Sequence, residues 1–145
     1  MIALGADHAG YDLKEKIKSL LHSMRLEYQD FGTNSVESTD YPDYAHSVAE
    51  AVSSGKAEYG ILVCGTGIGM SIVANKHAGV RASNVETIEA ARLARQHNDA
   101  NVLALGARLT SWEKAKEIVE MFLSTKFEGG RHERRVKQIH TLTNL

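Results

Sequence analysis

Cysteine, proline and long apolar runs are scarce in this sequence. It has one cysteine and one proline among 145 residues. A single cysteine cannot form an internal disulfide, and an unpaired thiol is typical of a reducing compartment. No uninterrupted apolar stretch exceeds four residues, as at 61–64 and 102–105, whereas a membrane-spanning helix needs about 20. Asp7 comes too early for a signal-peptide core. We therefore expect a cytoplasmic protein with no membrane partner.

Neither sign of charge dominates the composition. Seventeen Lys and Arg residues face 18 Asp and Glu residues, which gives a formal charge of -1 at pH 7. This balance gives no electrostatic reason to expect nucleic acid as a partner. Apolar residues make up 43% and charged residues 24% of the chain, as in globular proteins rather than disordered ones. The length fits one domain over residues 1–145.

Short apolar runs alternate with helical patterns along the whole chain. The runs predict five strands, at residues 2–5, 26–31, 59–64, 80–85 and 102–106. A helix at 42–53 is predicted to end before Gly55, and another to begin with a capping box of Thr110 and Glu113. This alternation predicts an α/β fold: a doubly wound, Rossmann-like three-layer fold with a five-stranded, mainly parallel sheet. The pattern does not give the strand order.

A glycine-rich loop at residues 64–71 follows the third predicted strand. Ligands bind outside the carboxyl ends of parallel strands, so the loop lies where a site is expected. Its alternating glycines let N–H groups converge, and the helix that follows adds its positive dipole end, which suits an anion. Met70 replaces the third glycine of a dinucleotide loop, and no P-loop Lys follows. Nucleotides are therefore disfavoured, and a tight turn that needs glycine only for packing stays as an alternative.

Cys64 opens this loop. A lone cysteine after an apolar run is more often core packing than a reactive thiol. At a strand end facing a helix N-terminus and convergent N–H groups, however, its thiolate is favoured and can act as a base or nucleophile. The position of Cys64 therefore favours a catalytic role.

Two other polar segments have both structural and functional interpretations. Asp7 and His8 follow the first strand, where a helix N-cap with an exposed histidine is as good an interpretation as a site. Residues 95–101 are predicted as a polar loop, either solvated or supplying a proton shuttle through His97 and a positioned amide through Asn98.

Arg131 and Arg135 lie four residues apart on a predicted helix and so project from one face. Such a pair can grip a phosphate, although a charge cluster is usually a solvated face. The remaining histidines are interpreted as surface or core fillers with no shared ligand spacing: His22, His46, His77 and His140. We predict no metal site.

Together, these motifs resemble the type B ribose-5-phosphate isomerases, which belong with the galactose-6-phosphate isomerase subunits. The matching segments run through nearly the whole chain: Ala6-Asp7-His8, Thr39-Asp40-Tyr41-Pro42, residues 64–69, Ala74-Asn75-Lys76, Arg95-Gln96-His97-Asn98 with Asn101, and Gly129-Gly130-Arg131-His132 with Arg135. The galactose-6-phosphate subunits typically lack the His-Asn pair and the Gly-Gly-Arg-His segment, and this chain has both.

The resemblance implies a single sugar-phosphate isomerase domain that interconverts ribose 5-phosphate and ribulose 5-phosphate, a reaction of the pentose phosphate pathway, without metal or organic cofactor. It implies that Cys64 is the base and that the reaction passes through an enediolate. His97, helped by Asp7, would open the sugar ring. The expected oxyanion donors are the N–H groups of Gly65, Thr66, Gly67, Ile68 and Gly69, with the side chains of Thr66 and Asn98. The expected phosphate ligands are His8, Arg131 and Arg135, with Arg108 a weaker candidate, and Tyr41 would line the sugar.

The resemblance also implies a homodimer or a tetramer, in which the segment with His97 enters the Cys64 site of another subunit. Two alternatives to the five-carbon reaction stay open. One is an isomerase of a six-carbon aldose 6-phosphate, such as allose or galactose 6-phosphate. The other is a non-catalytic module that binds a sugar phosphate and uses Cys64 only for packing.

Overall fold

The computed structural model describes residues 1–145 as alternating strands and helices. The five strands are β1 (Ile2–Ala6), β2 (Tyr28–Asp30), β3 (Tyr59–Cys64), β4 (Ala82–Asn84) and β5 (Val102–Gly106). The six helices are α1 (Tyr11–Ser23), α2 (Tyr41–Ser53), α3 (Ile68–Ala74), α4 (Ile88–Asn98), α5 (Trp112–Ser124) and α6 (Arg131–Thr143). None of the helices combines the length and the apolar character needed to cross a bilayer.

The strands form one sheet in the order β2-β1-β3-β5-β4, and every neighbouring pair is parallel. The predicted fold class is confirmed. The chain first moves outward from β1 to β2 and then crosses to β3 on the other side of β1. This reversal of direction creates a switch point between β1 and β3, the position where doubly wound sheets bind ligands.

Two apolar clusters cover the two faces of the sheet. One holds 19 buried residues and includes Ile17 of α1 and Phe122 of α5. The other holds 14, with Val48 of α2 and Met70 of α3 among them. Every residue of β1 and β5 is buried, which explains why the central strands appear in the sequence as continuous apolar runs.

Three details of the sequence prediction are wrong. The edge strands β2 and β4 have three residues each, shorter than the predicted 26–31 and 80–85. Residues 95–98 form the last turn of α4 instead of a loop. The helix α5 is capped by Ser111, whose hydroxyl accepts a hydrogen bond from the N–H of Lys114 (3.3 Å). Thr110 cannot cap α5 because it is buried in the preceding turn, where its own N–H donates to the carbonyl of Gly106.

A fully buried lysine joins α1 to the edge strand β2. Lys14 donates a hydrogen bond to the Asp30 carboxylate at 2.6 Å, and Lys18 lies 2.9 Å from the same carboxylate. Burial alone would raise the pKa of Asp30, but the hydrogen bonds from Lys14, Lys18 and the N–H of Gly32 outweigh it and lower the pKa. The ion pair thus holds β2 against α1, where an edge strand of three residues provides little apolar contact.

Candidate active site

Asp7 lies at the switch point, directly after β1. Its side chain is buried, and Oδ1 accepts a hydrogen bond from the N–H of Gly10 at 3.1 Å. The N–H of Asp7 in turn donates to the carbonyl of Val63, the residue before Cys64. Asp7 therefore shapes the turn that leads into α1, and it also lies beside the end of β3. It is not the predicted N-cap of that helix, because the N-cap is Gly10.

Cys64 is the last residue of β3 and is 6% exposed. Its Sγ accepts a hydrogen bond from the N–H of Gly67 at 3.1 Å. A backbone donor that faces sulfur stabilises negative charge on it, which is what a base or nucleophile requires. The glycine-rich loop thus turns back toward the thiol of Cys64, its first residue.

Gly67 holds the loop in a conformation that other residues rarely adopt. Its φ is +80°, and an added Cβ would lie 2.5 Å from Oδ1 of Asn84 and 2.9 Å from the backbone carbon of Leu105. Both the left-handed backbone and the close contact require glycine here. The tight-turn interpretation of this glycine is therefore correct, and the same turn presents the N–H group to Cys64.

The loop N–H groups divide into two sets. Two are engaged within the loop, since Gly67 donates to Cys64 and Ile68 donates to Oγ1 of Thr66 at 3.2 Å. The N–H groups of Gly65, Thr66 and Gly69 have no acceptor in the chain. Of the five N–H groups expected to bind an anion, these three are unpaired within the chain, whereas those of Gly67 and Ile68 already have acceptors.

Three further predicted side chains lie at the same edge of the sheet as this loop. Nδ1 of His8 accepts a hydrogen bond from the N–H of Thr39 at 3.1 Å, which leaves Nε2 available to a ligand. The ring of Tyr41 packs so closely over Gly69 that a Cβ there would lie 2.6 Å from it. The guanidinium of Arg108 lies over Gly65. The structure thus brings the predicted residues Asp7, His8, Tyr41, 64–69 and Arg108 together at the carboxyl edge of the sheet.

His97 and Asn98 lie at the opposite edge of the sheet. They end α4, which runs antiparallel to the strands and delivers the chain to the start of β5. Val102 at that start pairs with Gly60, whereas Cys64 pairs with Gly106. The four residue steps from Val102 to Gly106 place the two levels about 13 Å apart along the strand. A single chain therefore does not bring His97 to Cys64.

The first turn of α6 packs beside the end of α4. The rings of His97 and His132 stack with their centroids 4.3 Å apart, and the Glu128 carboxylate lies 3.6 Å from Nε2 of His132. Burial lowers the pKa of His132, and the nearby charges of His97 and Arg131 lower it further. Arg131 and Arg135 are exposed on the same helix. Four predicted site residues thus lie on α4 and α6, away from Cys64. We call them the α4–α6 group: His97, Asn98, Arg131 and Arg135.

Two arginines hold the end of α4, and sequence reasoning did not identify them. Arg81 donates to the carbonyls of Asn98 (3.1 Å) and Asp99 (2.8 Å), and the buried Arg95 donates to the carbonyl of Ala100 (2.6 Å). Burial lowers the pKa of Arg81. The bonds of Arg81 span 17 to 18 residues, so no local pattern in the sequence reveals them.

Two of the histidines interpreted as fillers meet in the fold. Nδ1 of His46 lies 2.8 Å from Nε2 of His77 on the outer surface of α2. Their separation of 31 positions along the chain hid this contact from an argument based on spacing.

A cysteine, unpaired N–H groups and cationic side chains at the switch point of a parallel sheet are typical of α/β enzymes that act on small anionic substrates. The family model described as Ribose/Galactose Isomerase matches residues 2–139, and the chain belongs to this family. Ribose-5-phosphate isomerase B of Escherichia coli K12 is 51% identical over 138 residues, which cover 95% of this chain and 93% of that protein.

Solved structures agree with this assignment. Ribose-5-Phosphate Isomerase B of Clostridium thermocellum has a TM-score of 0.97 and 48% identity, with 99% of this chain and 97% of that chain covered. Ribose-5-phosphate isomerase B of Mycoplasma genitalium, solved with bound ribulose-5-phosphate, has a TM-score of 0.95 and 41% identity, with 99% and 95% covered. The chain is therefore an isomerase, and the resemblance seen in the motifs is confirmed.

Proposed function

We propose that this isomerase interconverts D-ribose 5-phosphate and D-ribulose 5-phosphate, with Cys64 as the base. The observation that carries the proposal is the pairing of Sγ with the N–H of Gly67 beside three free N–H groups. The similarity to ribose-5-phosphate isomerases B, one of them solved with ribulose-5-phosphate, supports the choice of substrate.

In the proposed reaction, the Cys64 thiolate removes the proton from C2 of the open-chain aldose. The electron pair of that C–H bond forms a C1=C2 double bond, and the aldehyde oxygen takes the negative charge of the enediolate. The free N–H groups of Gly65, Thr66 and Gly69 donate to this oxygen. Such preorganised donors stabilise a transition state by about 3 kcal/mol each. Cys64 then returns the proton to C1 while the O2 proton moves to O1, which gives the ketose.

Ring opening is assigned to His97, helped by Asp7 and with Asn98 as a donor. Because His97 and Cys64 lie at opposite edges of one sheet, we assign His97 to a second subunit whose α4–α6 group covers the carboxyl edge of the first. Two such subunits related by a two-fold axis form two composite sites. The protein is thus proposed to be at least a homodimer, with a tetramer as the larger alternative.

The phosphate is assigned to cationic side chains away from the reacting carbons. Arg108 lies beside the glycine loop, and His8 follows β1 at the same edge of the sheet. The exposed pair Arg131 and Arg135 is contributed by the α4–α6 group. Guanidinium groups bind phosphate oxygens through paired N–H donors. Tyr41 is assigned to the sugar, between the phosphate and the reacting carbons.

A coupled assay with five- and six-carbon aldose phosphates tests the reaction and the substrate together. We expect the highest kcat/KM for ribose 5-phosphate. We also expect turnover to persist after exhaustive chelation, because ring opening is assigned to His97 and the transfer between the carbons to Cys64. A higher kcat/KM for allose or galactose 6-phosphate would favour the six-carbon alternative. Binding without turnover of any sugar would favour the non-catalytic module, and turnover that requires added metal would contradict the proposed mechanism.

A further inference from the structure

Three potential metal ligands converge on the outer surface of α2, away from the carboxyl edge. His46 Nδ1 lies 2.8 Å from His77 Nε2, and the Glu50 carboxylate lies 3.8 Å from the same His77 atom. One ligand atom from each residue lies within 4.8 Å of the other two. We call these residues the α2–α3 triad. None of them takes part in the proposed isomerase reaction.

The fold itself holds the triad together. His46 and Glu50 are four residues apart on α2 and so project from the same face. His77 follows α3, which packs against α2. Its side chain is 11% exposed, whereas that of Glu50 is 59% exposed. The triad therefore has one nearly buried member and an opening to solvent through which an ion can enter.

The orientation of His77 is that of a metal ligand. Its Nδ1 lies 3.1 Å from the carbonyl oxygen of Val73 and 3.2 Å from that of Ala74. Two acceptors at Nδ1 place the proton there, so the lone pair of Nε2 points toward His46 and Glu50. Histidines that bind metals characteristically donate their other N–H to a backbone carbonyl or carboxylate in this way.

We propose that the α2–α3 triad binds one divalent transition-metal ion, with Zn²⁺ as the representative ion. Nδ1 of His46, Nε2 of His77 and the Glu50 carboxylate are the ligands, and water fills the fourth position. Two imidazoles and one carboxylate form a ligand set that zinc adopts in proteins, whereas Mg²⁺ and Ca²⁺ prefer oxygen ligands.

Binding requires a small rearrangement of His46. Without metal, the two imidazoles share a hydrogen bond, with Nδ1 of His46 donating to Nε2 of His77. Two nitrogens bound tetrahedrally to one zinc lie about 3.3 Å apart because each Zn–N bond is about 2.0 Å. The rings must therefore separate by about 0.5 Å. His46 is exposed and can move by this amount.

The ion would connect two elements that both reach the catalytic edge. α2 begins at Tyr41, and α3 begins directly after Gly67 of the loop. The triad lies at the opposite end of α3 from that loop, about 10 Å away along the helix axis. A metal ion there would hold α2 and α3 together without touching the substrate.

Zinc titration by calorimetry tests the proposal on metal-free protein. We compare the unaltered chain with His46→Ala and with the matched control His22→Ala, which removes an exposed histidine of α1 outside the triad. The unaltered chain and His22→Ala should share one site that weakens at least tenfold in His46→Ala, since loss of an outer hydrogen-bond partner alone costs about 10- to 100-fold. Identical zinc binding by all three proteins would overturn the proposal.

Two features keep this experiment specific. Zinc bound at Cys64 is retained in His46→Ala, and so is zinc bound at His97, Glu128 and His132, which lie close to one another. Binding at either place therefore contributes equally to the titrations that are compared. Glu50→Gln keeps both imidazoles and the side-chain volume, and should also weaken the site. Unchanged affinity in Glu50→Gln would overturn the three-ligand assignment.

Thermal unfolding gives a second readout that is independent of isomerase activity. Zinc at about 100 times its dissociation constant stabilises a protein that binds it only when folded. It should therefore raise the Tm of the unaltered chain and of His22→Ala by more than that of His46→Ala. Mg²⁺ at the same concentration should leave all three unchanged, and an equal rise in Tm with Mg²⁺ would contradict a transition-metal site.

Discussion

At the scale of single residues, the proposed role of Cys64 as the base rests on the hydrogen bond that its Sγ accepts from the N–H of Gly67. For Cys64→Ala we predict a loss in kcat of at least about a hundredfold, the size expected when a positioned proton-transfer group is removed. Steady-state kinetics measures the loss. Calorimetric binding of ribose 5-phosphate and a circular dichroism spectrum check that the variant still folds and binds. Near-normal turnover would assign Cys64 to packing.

Arg135 should contribute to substrate binding more than to the chemical step. A phosphate contact remote from the reacting carbons acts equally in the ground and transition states. We therefore predict that Arg135→Ala raises KM at least tenfold and changes kcat much less. Arg134→Ala is the matched control, because Arg134 is exposed on the same helix beside Glu133 and Lys137. A large fall in kcat with unchanged KM would contradict the phosphate assignment.

The sequence predicts those features of the site that depend on residues adjacent in the chain. Cys64 and the loop glycines are adjacent in the chain, so their spacing alone predicts a turn that faces the thiol. Lys14 could not be found in this way, because a lysine in a helical pattern is normally solvated. Its burial depends on Asp30, which is 16 residues away on another element.

At the scale of elements, Gly67 fixes the geometry of the loop. Gly67 and Gly55 have nearly the same φ, +80° and +77°, but a Cβ at Gly55 would meet nothing within 4 Å. We predict that Gly55→Ala costs about 1 kcal/mol of unfolding free energy for its left-handed backbone, and that Gly67→Ala costs at least about 2 kcal/mol because a clash is added. Denaturant unfolding measures both values. Equal costs would show that the Asn84 contact relaxes freely.

The ion pair between α1 and β2 predicts a pH-dependent stability. The pKa of Asp30 is lowered in the folded chain, so its contribution is complete above the ordinary aspartate pKa and is lost as the pH falls through the folded value. Asp30→Asn leaves Lys14 buried without its charged partner and should cost about 3 kcal/mol at pH 7. The difference from the unaltered chain should shrink toward pH 3. Urea unfolding from pH 7 to 3 tests this, and a constant difference would contradict it.

The sequence predicted the bounds of a strand well where both faces of that strand are buried. The central strands lie at or within one residue of their predictions because both of their faces are covered. The edge strands were overextended because apolar residues such as Leu26 and Val80 flank the sheet without pairing in it. The start of α5 was misplaced by one residue because Thr110 and Ser111 are equally good caps in sequence, and only burial separates them.

At the scale of the whole molecule, the separation of Cys64 from His97 predicts complementation between inactive subunits. Equal amounts of Cys64→Ala and His97→Ala, mixed under conditions that exchange subunits, should give half mixed dimers with one intact site of two. About a quarter of the unaltered activity should therefore appear. Each variant alone is the control. A mixture that stays inactive despite proven exchange would contradict a composite site formed by His97 and Cys64.

The arrangement of the whole chain was only partly predictable. The alternation of strands and helices gave the α/β class, but strand order depends on which apolar faces pack together, and the local pattern does not contain this. The distance from His97 to Cys64 follows from the antiparallel course of α4 between β4 and β5. The resemblance to a known family, and not periodicity, suggested that His97 acts in another subunit.

The opposite placement of His97 and Cys64 has a consequence for dilution. Under the shared-site proposal, an isolated chain holds both halves of a site and can use neither, so specific activity depends on protein concentration. Below the dissociation constant of the dimer, mass action makes the rate rise with the square of the total chain concentration. A newly synthesised chain would turn over substrate only after it dimerises with another copy, so a low protein concentration alone would keep it inactive.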